Sequence, residues 1–119
     1  MRYLVTAILL LAIAQPVLAK RLHPERWYQE QWCDGQIEVV LADNTRVDCL
    51  TDDVAWEFDF ADKWAEAIGQ SLHYGAMTDR QAGIVMIVES LEDLRYANRL
   101  LSVIHAHYLD IKVRMLVDQ

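Results

Sequence analysis

The chain has 119 residues, a formal net charge of −7 and a hydrophobic fraction of 54%. That is enough apolar material for one small core and too much for a disordered polypeptide. The acidic balance excludes the broad basic face from which sequence-independent nucleic-acid binding draws its affinity; either bound cations supply positive charge locally, or the partner is not nucleic acid.

Met1-Arg2-Tyr3 precedes an apolar run from Leu4 to Ala14, a turn-favouring Gln15-Pro16 and then Val17-Leu18-Ala19, with small residues where a signal peptidase reads. This pattern predicts a secretory signal at 1–19 and a mature chain starting at Lys20. The apolar run is shorter than the roughly 20 residues needed to cross a bilayer, so cleavage, export to the periplasm or medium, and no stable membrane association are expected. Removing the segment takes away Arg2 and no acid, leaving ten basic against eighteen acidic residues and a net charge of −8. Cys33 and Cys49 are the only cysteines. In an oxidising compartment they are expected to form a disulfide closing a loop of about 16 residues. The alternative, a pair of thiolate metal ligands, lacks further cysteines or well-spaced histidines to complete it.

In the mature part, Pro24 opens a first helix that carries early acidic charge and ends at Asp34-Gly35. The β-branched stretch 36–42, a tight turn at Asp43-Asn44 and the stretch 45–50 predict a hairpin. In the third strand, 54–60, Trp56, Phe58 and Phe60 point one way, and Glu57 and Asp59 the other. A helix follows at 61–76, with Lys63, Glu66, Gln70 and Tyr74 on one face. Residues 82–88 form the most continuous apolar run after the signal and predict a central strand covered on both sides. A long helix at 91–108, with Leu94, Ala97, Leu101, Ile104 and Tyr108 on its inner stripe, leads to a closing strand at 111–117. The expected fold is therefore a single α/β domain over 20–119, in three layers, with a mixed five-stranded sheet flanked by helices in the order αβββαβαβ. The crossover from the third strand to the fourth is expected to be right-handed.

Asp48 on the second strand and Glu57 and Asp59 on the third are hard oxygen donors of the kind that binds Mg²⁺, with Mn²⁺ as a substitute. They have simpler readings as well: Asp48 and Asp59 as solvent-facing sheet residues, Glu57 as the partner of Lys63 or Arg46 in an ion pair, and Gln70 with Tyr74 as a hydrogen-bonding pair fixing helix to sheet. If the carboxylates converge, Asp48 and Glu57 should have raised pKa values through mutual repulsion. His105 and His107, two apart on a helix, point in nearly opposite directions and cannot share a metal. Trp27, Trp32, Trp56 and Trp64 lack interleaved basic residues and are expected in the core rather than on a base-stacking platform. No Ser-His-Asp set, phosphate-binding glycine loop or CxxC motif is present.

The element order, with an acid on the second strand and an acidic pair on the third, resembles the PD-(D/E)XK, or restriction-endonuclease-like, nuclease superfamily over nearly all of the mature chain. The resemblance implies a magnesium-dependent phosphodiesterase, a hydrolase with nucleic acid as substrate. Asp48 and Glu57 then stand at two metal-ligand positions, with Asp59 beside them. Asp59 occupies the position where the family usually has lysine, and Lys63, one turn into the next helix, stands in for it. Gln70 and Tyr74 match the Gln-x-x-x-Tyr signature of an exonuclease-like branch, and Glu30 is placed like an acid that the first helix adds to the metal shell. A catalytically degenerate member, acting as a periplasmic binding or inhibitory module, and a structural protein docking its acidic face to a basic protein partner are the competing expectations.

Overall fold

Both faces of the third strand are buried, and this fixes the layering. The computed structural model describes residues 20–118; the expected signal segment, 1–19, lies outside the described residues. The elements are α1 (Glu25–Trp32), β1 (Gln36–Val40), β2 (Arg46–Leu50), β3 (Val54–Phe60), α2 (Trp64–Thr78), β4 (Gln81–Val88), α3 (Leu94–Ala106) and β5 (Ile111–Val117), with single 3₁₀ turns at Ala61–Lys63 and Leu91–Asp93 leading into α2 and α3. The strands form one five-stranded sheet in chain order. The pairs β1–β2 and β2–β3 are antiparallel, and β3–β4 and β4–β5 are parallel. The parallel half follows from the two helical crossovers, which return the chain to the same end of the sheet.

Trp56, Phe58 and Phe60 pack with Tyr28 of α1 and with Val85 and Ile87 of β4 on one side. On the other side Ala67 of α2 and Ala97 and Leu100 of α3 lie against Ala82, Ile84, Met86 and Val88. The chain is thus a three-layer α/β domain, and β4 is buried on both faces as its unbroken apolar run requires. Cys33, just past α1, is disulfide-bonded to Cys49 on β2. Among the described residues no helix is long and apolar enough to cross a membrane.

Several expectations are corrected. Strand β1 stops at Val40 rather than at 42, because the chain turns through Asn44 in the left-handed region, φ 67°. Helix α3 ends at Ala106, and Tyr108, expected on its inner stripe, lies past the end with φ 51° and 92% exposure. Leu94 and Leu101 are also exposed, while Ala97, Leu100 and the half-buried Tyr96 and Ile104 face the core. The apolar positions of this helix span more than one stripe, and packing selects the side carrying the small Ala97. Trp32 is 59% exposed and is not a core aromatic, whereas Trp56 is buried and Trp27 and Trp64 are partly so.

Glycine 83, in the middle of buried β4, is required by packing. A Cβ built there would lie 2.5 Å from the Trp56 ring and 2.6 Å from Val54, so the ring lies across the sheet only because this position has no side chain. Gly83→Ala is expected to cost about 1–3 kcal/mol, the usual penalty of overpacking a core, and chemical denaturation monitored by Trp fluorescence will measure it.

Candidate acidic site

Glu57 and Asp59 lie on the α2 side of β3, in phase with Ala55, which packs against Tyr74 of α2. What brings Asp48 to them is an irregularity in β2. The β2–β3 ladder pairs Cys49 with Trp56 and Leu50 with Ala55, and the next step of that register would set Asp48 opposite Glu57. There the carboxylate replaces the strand: the Phe58 N–H donates to Asp48 Oδ2 at 2.8 Å. On the other side of β2, the pairs Ile37↔Cys49 and Val39↔Val47 flank an unpaired position at 38 and 48, where Glu38 has φ 57°. Cys49 packs on the α1 side, while Val47 packs with Ala55 and Tyr74 on the α2 side. Residues two apart on a regular strand share a face, so the alternation is reset at Asp48. Glu38, Asp48 and Glu57 therefore occupy one row across three adjacent strands. Holding a glutamate in the left-handed region costs on the order of 1 kcal/mol or more, and such strain concentrates at functional sites.

The carboxyl groups are shielded: Asp48 is 8% exposed, and Glu57 and Asp59 are 5% exposed each. Burial pushes the Asp59 carboxyl up to about 7, with repulsion from Glu25 adding to the rise and Lys63 opposing it. Asp48 and Glu57 are hydrogen-bonded to each other and both are raised, first by burial; the Asp48 charge raises Glu57 further, whereas the Phe58 N–H holds Asp48 back. Two carboxyls in such contact titrate as a pair. The expected repulsion between the two therefore acts on Glu57 alone, second to burial; Asp48 is raised by burial and by the charges of Glu25 and Glu38, and its contact with Glu57 lowers it. Glu57 Oε2 is buried and has no hydrogen-bond partner. Burial also raises Glu25, against the pull of Lys63, and Tyr74 is pushed up to about 12 by burial and then by Glu57 and Asp48.

Asp48, Glu57, Asp59 and Tyr74 thus adjoin one another. Lys63 is exposed at the start of α2, yet its charge acts on both Glu25 and Asp59. Gln70 is on the exposed side of α2, one turn from Tyr74. Glu30 does not join the group: it is half exposed and accepts from Arg26 Nε at 3.0 Å on the outer side of α1. The first helix contributes Glu25 instead. Five residues along a helix is a rotation of about 140°, so the two glutamates cannot face one site. Arg46 pairs with Glu38 at 3.6 Å rather than with Glu57. Glu25 and Glu38 were both missed by sequence reasoning. Glu38 was within reach, since the hairpin turn sets the register that places position 38 opposite 48; Glu25 had no such signal, being read only as favourable first-turn charge.

The donor chemistry fits a hard divalent cation. Carboxyl oxygens arrive from three separate elements, and Glu57 Oε2 lacks any other partner. In the arrangement observed, no three His, Cys, Asp or Glu side chains among the described residues are set to hold one ion; Asp48 is committed to the Phe58 N–H and to Glu57. No family model, curated protein or solved structure matches the chain.

Proposed function

We propose that this chain is an exported, Mg²⁺- or Mn²⁺-dependent phosphodiesterase of the restriction-endonuclease-like class, with its site on the α2 side of β2 and β3. The observation that supports this reading is the convergence of the buried Asp48, Glu57 and Asp59 with the half-buried Glu25, a set whose repulsion protons or a cation relieve. The disulfide is compatible with export. Asp48, Glu57 and Asp59 would hold the ion after moving from the arrangement observed, with the Phe58 N–H orienting Asp48. A bound divalent ion would lower the pKa of water and neutralise the phosphodiester charge that repels the nucleophile. Lys63 stands at the solvent side of the cluster, where its positive charge would neutralise charge on the scissile phosphate. Asp59, in the family's usual lysine position, keeps the charge demand for a cation high. Tyr74, held neutral, closes the inner wall and donates no charge.

The competing reading, a nuclease-like scaffold without turnover that serves as a binding module, is favoured by the shielding of Glu57 and Asp59. One experiment separates them. Millimolar Mg²⁺ or Mn²⁺ is expected to raise the melting temperature by mass action and to support cleavage of single- or double-stranded DNA or RNA. Asp48→Asn should abolish the metal-dependent rise. Lys63→Ala should retain it and lose cleavage. A melting temperature indifferent to both ions, together with no cleavage, would leave the binding-module reading.

A further inference from the structure

Trp56 and Arg114 define a second place of interest, on the opposite face of the sheet from the carboxylates. A cleft of about 500 Å³ opens there, lined by Trp56, Arg80, Lys112, Arg114 and the turns at 34–36 and 51–54. The register sets Trp56, Gly83 and Lys112 side by side across β3, β4 and β5. Because position 83 has no side chain, the indole lies flat across the sheet, and the Arg114 guanidinium sits 4.6 Å above its ring. A guanidinium held against a ring in this way keeps N–H donors for an oxyanion, which it can bind with two parallel hydrogen bonds.

Three of the ten basic residues of the mature sequence meet at this cleft, in a strongly acidic protein. Among the described residues none of the three forms an ion pair, although Asp34, Asp52 and Asp53 line the same cleft. Local carboxylates that lie this near and still leave three cations unpaired mark a place that an external anion can take. The same aspartates exclude an extended polyanion, whose neighbouring phosphates would meet them. They suit a ligand carrying hydroxyl or amine donors beside one anionic group, and the volume is that of a small-molecule site.

We propose that this cleft binds a small molecule bearing a phosphate or carboxylate, the oxyanion being held by Arg114, Lys112 and Arg80 and the rest of the ligand by the aspartate rim. The site is independent of the carboxylate cluster. It lies at the start of β3, near Val54, and faces away from Glu57 and Asp59, so failure of either proposal leaves the other standing.

The test is titration of the purified, disulfide-linked protein with inorganic phosphate and, separately, with succinate, read by ¹H–¹⁵N spectra at the Trp56 indole and the Gly35 and Gly83 amides. Ionic strength is held constant with sodium chloride. Saturable shifts at these resonances with phosphate identify a phosphate ester as the ligand class; shifts with succinate identify a carboxylic acid. Arg114→Gln and Lys112→Gln should each weaken binding about tenfold, as expected for loss of a charge-assisted hydrogen bond, and both positions are solvent-exposed on β5, so the fold should survive. The proposal is overturned if neither anion gives saturable shifts, if chloride alone produces the same shifts, or if both folded variants bind as the parent does.

Discussion

Raising the pH from about 4 to about 7 should lower the stability of this protein, opposite to the usual behaviour of acidic domains. The sign follows from the buried carboxyls. Asp59 has a folded pKa of about 7 against an ordinary 3.8, so between those values the folded state keeps a proton that the unfolded state has released. Stability falls with pH wherever the folded state binds more protons. A shift of about three units corresponds to roughly 4 kcal/mol for Asp59 alone, and the hydrogen-bonded Asp48 and Glu57, both raised, act in the same direction. Asp43, held low by Thr45 and His73 in the hairpin turn, opposes it only from an exposed position. Urea denaturation at pH 4.5, 6 and 8 measures the effect. Asp59→Asn should flatten the profile and stabilise the protein at pH 8 by several kcal/mol, because the amide never has to ionise in a buried place. A parent whose stability rises across this window would show that the carboxyls ionise freely, and the cation-binding reading would lose its physical basis.

Removal of the Cys33–Cys49 disulfide should cost about 3 kcal/mol, the loop-closure entropy of a loop of this length. For a domain of this size that is a large part of a total near 5–15 kcal/mol. The bridge does more than limit the unfolded chain. Cys49 adjoins Asp48 and is the last regular ladder position of β2 before the irregularity, so the bond to α1 anchors β2 where its alternation resets. The Cys33→Ser/Cys49→Ser variant should therefore lose both melting temperature and metal response, and the second loss should exceed what destabilisation alone produces. Calorimetry with and without Mg²⁺ separates the two. An unchanged metal-induced shift in a folded double variant would show that Asp48 is held by the Phe58 N–H alone.

The sequence by itself determined the layer architecture. The alternation of Trp56, Phe58 and Phe60 with Glu57 and Asp59, the unbroken apolar run of β4, the hairpin turn near Asp43-Asn44 and the two long helical segments are local patterns whose periods belong to one element type each. The disulfide was also legible, because the expected export puts the only two cysteines in an oxidising compartment. Part of the acidic site could be read too, since Glu57 and Asp59 share a strand face by simple alternation.

Only the tertiary structure decided the rest. Asp48 reaches Glu57 through a break in β2 and a left-handed Glu38, and neither is encoded by a glycine or any other residue that signals an irregular strand. The acid contributed by the first helix is Glu25 and not Glu30 because the way α1 meets the sheet selects one face, and that docking rests on long-range contacts, among them Tyr28 against Phe60 and the Cys33–Cys49 bond. The basic cleft had no sequence signature at all. Arg80, Lys112 and Arg114 are scattered along the chain, and what gathers them is strand register together with the missing side chain at Gly83. Local periodicity specifies elements and their faces; which charges finally meet is fixed by how strands break, twist and pack, and that energy resides in contacts between residues far apart in sequence.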